Sequence, residues 1–235
     1  MENSSLLSAG VRLRRRTILR KVYMWMTVGL SSTALSAWWV FQSPWFKEAL
    51  FGRGIGPILL LSLGMLILVF VLSRNIMRMS VGGAIGGFLL YSVLNGLLCS
   101  SIFMVYARYA IFQAFAVSAG MFASMSLWAL TTKRDLSGWG HYLFMGLIGL
   151  IIAGVVGIFV GGETYRLLYS AVGVILFTAL TAYDTQMIKR MSDDASASVD
   201  GADSTRLSIL GALKLYLDFI NMFFFLLRLL GGRRN

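Results

Sequence analysis

Apolar runs of membrane-crossing length alternate along this chain with short polar, glycine-bearing interruptions. They lie at about 22–42, 58–72, 81–106, 109–130, 143–160, 167–188 and 208–230. Most approach the ~20 residues with which an α-helix crosses the hydrocarbon core of a bilayer. Backbone polar groups in lipid must be satisfied within their own segment, so helices are expected throughout. The pattern therefore predicts an all-α integral membrane protein, a seven-transmembrane-helix bundle in one domain from residue 22 to 235. Residues 1–21 precede it as a basic cytoplasmic tail.

The interruptions refine this reading. Trp38, Trp39 and Trp45 close the first run as an interfacial aromatic belt. The segment SPWFKEALFGRGIGP carries both prolines, Pro44 and Pro57, and is amphipathic enough to lie on the surface as a short helix. The third run opens with GGAIGG, where Gly82/Gly86 and Gly83/Gly87 form small-xxx-small pairs suited to close helix packing. Residues 189–207, KRMSDDASASVDGADSTRL, are the one clearly hydrophilic internal stretch and read as a flexible loop. Its aspartates lack the D-x-D-x-D-G spacing and closing Glu of a calcium loop.

Composition agrees with a membrane protein: 57% of residues are hydrophobic and 13% charged, against ~25% charged in soluble domains. The net charge of +11 points to nucleic acid until its placement is considered. Arg12, Arg14, Arg15, Arg16, Arg20 and Lys21 directly precede the first apolar run, as a cytoplasmic flank does, and suit anionic headgroups. The expected partner is the lipid bilayer rather than nucleic acid, with the N-terminus cytoplasmic in a multi-pass cell membrane protein. Seven spans put the C-terminus outside, where Arg228, Arg233 and Arg234 fit poorly, so a re-entrant or an unusually buried final segment is an alternative. One cysteine, Cys99, and one histidine, His141, build neither a disulfide framework nor a usual zinc or haem site, and no cofactor is expected.

Of ten acidic residues, only Asp184 and Asp218 fall inside apolar runs. A carboxylate at membrane depth costs roughly 2.5–3.5 kcal/mol on insertion scales, and such residues usually mark ion or proton pathways. Lys214, Asp218 and Asn221 are spaced i, i+4, i+7 and share one helix face; Thr181 lies three residues before Asp184. The two helices are consecutive, so their aspartates could face each other. Two close carboxylates in low dielectric cannot both stay ionised; one takes a proton and they titrate as a unit. Alternatively both remain ionised around a hard cation such as transient calcium. The same residues permit a proton sensor, a cation site, or both.

An enzyme is not expected. Intramembrane aspartyl proteases also pair aspartates on neighbouring helices, through a YD motif, which Tyr183-Asp184 matches, and a GxGD motif, alongside a PAL motif. Here Asp218 follows Lys214-Leu-Tyr-Leu and no PAL occurs. No HExxH is present, and the single histidine lies near a loop.

TAYDTQMIK and LYLDFINMFFFLLRLLG resemble the signatures of the Bax inhibitor family, the transmembrane Bax inhibitor motif proteins, in its bacterial branch. TTKRDLSGWG and GLIGLIIAGVVGIF are similar to its fourth loop and fifth helix, and the resemblance runs from Met24 onward. It implies a bacterial inner membrane protein of seven helices, with the last helix central. It also implies a pH-sensitive calcium leak channel with the two motif aspartates, Asp184 and Asp218, as sensor. Arg74 is the nearest match to an arginine that some relatives pair with an aspartate at the end of the second helix. Residues 58–72 hold no acid where such relatives carry a glutamate, and Lys214 is a second departure. Other bacterial relatives bind and restrain a membrane-bound AAA protease, which is the alternative function, one without ion transport.

Overall fold

The structure, a computed structural model, describes residues 2–52, 54–195 and 201–231. The side chains of 2–16 and 194–195 lie outside that description, so Arg12, Arg14, Arg15, Arg16 and Asp194 are placed only along the backbone. Asp200, Arg233 and Arg234 lie outside the described residues altogether.

The described chain is helical almost throughout. α1 spans Glu2–Gln42, a short α2 Pro44–Lys47, α3 Gly56–Asn75, α4 Val81–Cys99, a short α5 Ile102–Val105 and α6 Arg108–Thr131. α7 spans Gly140–Val160, α8 Glu163–Ala195 and α9 Gly201–Leu230. Six helical segments among the described residues are long and apolar enough to cross a membrane. That is one fewer than the seven expected. The helix that falls short is α1, whose apolar run is diluted by Ser31, Ser32, Thr33 and Ser36.

Two boundaries differ from the hydrophobic pattern. α8 and α9 run on to Ala195 and from Gly201, so most of the hydrophilic stretch 189–207 is helix rather than loop. Polar residues at a helix end need only solvent around them, whereas an apolar run marks only the part in lipid. α9 is also one unbroken helix of 30 residues, about 45 Å long, which rules out the re-entrant course considered for it. The amphipathic segment after α1 does form the short α2, followed by one π-helical turn over Glu48–Gly52.

The chain forms two compact units, residues 1–105 with 190–216, and residues 106–189 with 217–235. In the first, α1 buries a single stripe of Ile18, Val22, Met26, Gly29, Thr33, Ala37 and Val40. The spacing of three and four keeps these positions on one side of a helix. α1 meets α4 through small residues. A Cβ on Gly29 would lie 2.5 Å from the Phe88 ring, and one on Gly96 would collide with Ser36 and the Thr33 carbonyl. Of the two glycine pairs in GGAIGG, only Gly87 receives another helix: Leu72 of α3 would lie 2.5 Å from its Cβ. Ser80 caps α4 by accepting from the Gly83 N–H at 3.1 Å.

The second unit holds α6, α7, most of α8 and nearly half of α9, from Leu217 on. Gly161 and Gly162, with φ of 62° and 98°, make the turn from α7 to α8 in a backbone region that L side chains avoid. The glycines that dot α7 are seats for α8. Gly140 receives Tyr183, Gly146 receives Leu176, Gly154 receives Tyr169 and Gly157 receives Tyr165, as expected of one antiparallel register.

The candidate carboxylate site and its family

Asp184 and Asp218 both belong to the second unit and both are buried, at 8% and 4% exposure. Their relation follows from the α8–α9 register. Phe225 of α9 fits against Gly173, whose Cβ would lie 2.6 Å from the ring, and stacks on Phe177 with ring centroids 5.8 Å apart. One turn nearer the α8–α9 link, the Thr178 hydroxyl lies 3.8 Å from Met222 Sδ. These contacts define an antiparallel pair in which α8 advances as α9 recedes.

Asp184 lies on the Gly173–Phe177 stripe two and three turns further along α8, and Asp218 lies on the Met222–Phe225 stripe one and two turns back along α9. Continued without slip, the register sets residue 218 level with residues 180–184, centred on residue 182. The register thus brings the two aspartates within about one helical turn of each other in height, on the stripes through which α8 and α9 meet.

Three consecutive side chains of α8 serve three helices, because each residue turns the helix by about 100°. Tyr183 occupies the Gly140 seat on α7, Asp184 lies on the α9 stripe, and Thr185 Oγ1 is 3.2 Å from Ser126 Oγ on α6. Around the level of the carboxylates the packing is aromatic and dry. Phe219 meets Phe115 and Phe122 of α6 with ring centroids 5.5 and 5.7 Å away. Thr181 is fully buried and donates to the Phe177 carbonyl at 2.8 Å. Asn221 is half-buried and donates to the Leu217 carbonyl at 2.8 Å. Both polar neighbours thus donate a hydrogen bond to their own helix backbones.

The two cations considered as counter-ions are differently placed. Lys214 is half-buried on α9, one turn before Asp218. Arg74 belongs to the first unit, is exposed at the end of α3, and holds its guanidinium 5.5 Å from the centre of the Phe70 ring. Among the described residues no group of three or more His, Cys, Asp or Glu side chains converges. Calcium takes six to eight oxygen ligands, so two carboxylates supply a point of contact rather than a full cage.

Hydrophobic pattern did not reveal the role of Gln186 and Lys189. The Gln186 amide donates to the Arg134 carbonyl at 2.8 Å and accepts from the Leu136 N–H at 2.7 Å, gripping the α6–α7 loop with both ends. Lys189 Nζ donates to the Leu130 carbonyl at 2.7 Å, satisfying an acceptor at the C-terminal end of α6 where the helix leaves such groups open. The signal was present in the sequence: an amide inside an apolar helix needs a partner. The identity of that partner, 50 residues earlier, was not.

The family model described as Inhibitor of apoptosis-promoting Bax1 matches residues 15–235. The chain belongs to the Bax inhibitor family. It is 47% identical over 219 residues to Inner membrane protein YbhL of Escherichia coli strain K12, with 93% of each chain covered. It is 40% identical to an uncharacterized protein of Borreliella burgdorferi, covering 95% of each chain. A protein of Deinococcus radiodurans, also uncharacterized, is 41% identical over 93% of this chain and 91% of its own. With six apolar helices and this kinship, the chain is a multi-pass membrane protein of the Bax inhibitor family.

Proposed function

We propose that the protein is a pH-sensitive cation leak of the bacterial inner membrane, with calcium as cargo and Asp184 and Asp218 as its gate. The reading is supported chiefly by the α8–α9 register, in which the two buried span carboxylates come within about one turn in height on the stripes where the helices meet. With one proton shared between them, the carboxyls bond and hold α8 against α9. As pH rises the shared proton leaves and both ionise. Like charges in low dielectric then repel by a few kcal/mol, enough to shift a two-state packing equilibrium substantially. The opened pair offers carboxylate oxygens to a passing divalent cation. Lys214, one turn before Asp218 on the same helix, is the counter-ion that sets the midpoint.

The same proposal takes α1 as a seventh span and α9 as the innermost helix. In favour of the latter, 72% of the apolar window of α9 is buried, against 11–44% for the other five spans. The proposal also takes the N-terminus as cytoplasmic, in keeping with the basic residues before the first run.

The deciding experiment is calcium flux into proteoliposomes at several pH values. Wild type should show a pH-dependent flux, and Asp184→Asn and Asp218→Asn should flatten it. Lys214→Gln should move its midpoint. A wild-type pH profile in both aspartate variants would refute the gate. Absence of flux together with capture of a membrane-bound AAA protease would replace it by the partner-restraining role.

A further inference from the structure

A groove of about 570 Å³ opens beside the α6–α7 loop, within the second unit. Its floor is Ala179 and Ala182 of α8, whose small side chains leave the space, and its walls include Trp128, Leu143 and Tyr183. Arg134 and Asp135 stand at its polar end. The volume falls in the ~300–1,000 Å³ range of ligand sites. We propose that this groove is a phospholipid subsite, with the lipid phosphate on Arg134 and one acyl chain along Trp128, Leu143 and Ala182.

Several observations select this occupant. The groove borders α7, whose Tyr142, Phe144, Met145, Ile148 and Ile151 are exposed, so in a membrane-spanning chain the neighbouring medium is lipid. Trp128 and Trp139 remain 41% and 58% exposed at the rim, the side chains that settle at headgroup level because one edge is apolar and the other polar. Lys133 and Arg134 are exposed in succession, a short basic step next to the end of an apolar helix, where anionic headgroups collect. Asp135 is engaged in the turn itself, accepting from the Ser137 N–H at 2.7 Å. The loop that presents Arg134 is held in place by Gln186 through the Arg134 carbonyl. The cation is thus anchored at its backbone and free to reach at its tip, as a headgroup clamp requires.

The test titrates the purified full-length protein with dioleoyl phosphatidylglycerol and reads bound lipid by native mass spectrometry. Wild type should show one saturable site. Arg134→Gln should weaken it roughly five-fold, the effect of one basic residue near an anionic lipid. Ala182→Leu should abolish it by filling the floor, and Lys47→Gln, a cation elsewhere, should leave it unchanged. Equal binding by wild type, Arg134→Gln and Ala182→Leu overturns the site. So does equal competition by glycerol 3-phosphate, which has the phosphate without the chain and would mark a soluble-anion site. Where Ala182→Leu fails to fold, an unchanged affinity in Arg134→Gln overturns the proposal by itself.

Discussion

The α1–α4 seam of the first unit and the α7–α8 seam of the second both rest on glycine, yet they use it differently. At α1–α4 Gly29 receives the Phe88 ring, but Gly96 admits backbone and lies against the Thr33 carbonyl as well as Ser36. Hydroxyls then work across the narrow gap. Thr33 Oγ1 is 2.9 Å from the Ser92 carbonyl and 3.0 Å from that of Gly29, and Ser36 Oγ reaches the Val93 carbonyl at 3.2 Å. Because the Thr33 hydrogen goes to a carbonyl, Tyr216 is the donor in the 2.7 Å Tyr216–Thr33 contact. Phe88 and Tyr91 flank the Tyr216 ring edge-on, at 5.8 and 6.0 Å.

At α7–α8 the glycines instead admit the ends of tyrosine and leucine side chains. Tyrosine tips can swing aside, whereas a carbonyl held in a helix cannot. One seam is therefore rigid by backbone contact and the other adjustable by rotamer.

The comparison can be broken at its strongest point first. Gly96→Val should lower stability by at least about 3 kcal/mol, the upper part of the range for overpacking, because neither Thr33 O nor Ser36 can retreat. Thermal unfolding in detergent, followed by monodispersity, reads this directly; a stable variant would show the seam to be soft. Gly173→Ala should cost about 1–3 kcal/mol in the same assay, since the Phe225 ring faces its Cβ at 2.6 Å and must tilt.

Gln186→Leu should cost about 1–3 kcal/mol by leaving the Leu136 N–H unsatisfied, and should speed hydrogen exchange of the α6–α7 loop while sparing α4. Unchanged exchange at Leu136 would mean that the clamp does not hold the loop. A double-mutant cycle on Thr33→Val and Tyr216→Phe should give a coupling of only about 0.6 kcal/mol, typical of hydroxyl pairs in membranes. Smallest of all, Gly149→Ala should be neutral or slightly stabilising, because its Cβ would meet open space.

Much of this molecule was legible along the chain. Hydrophobic run length located α3, α4, α6 and α7 closely, since crossing lipid fixes both the length and the apolar character of a helix. The rarity of carboxylates in those runs singled out Asp184 and Asp218, and their burial at 8% and 4% agrees with the desolvation that such positions imply. Motifs around the same two residues indicated the Bax inhibitor family, which the match over residues 15–235 shows.

Other features required the fold. Helix ends beyond the lipid carry no hydrophobic signal, so the extension of α8 to Ala195 and the start of α9 at Gly201 could not be read from run length. Nothing in GGAIGG distinguishes Gly87, which receives Leu72, from Gly82 and Gly86, which face open space. The sequence by itself determined which residues must leave water and which carboxylates must go with them. Only tertiary structure decided that Tyr183, Asp184 and Thr185 turn to three different helices, and that Gln186 and Lys189 hold a loop and a helix end some 50 to 59 residues away. The physical reason is that apolar transfer is non-directional and adds up along the chain. Hydrogen bonds and glycine seats depend on direction and register, which exist only once helices have packed.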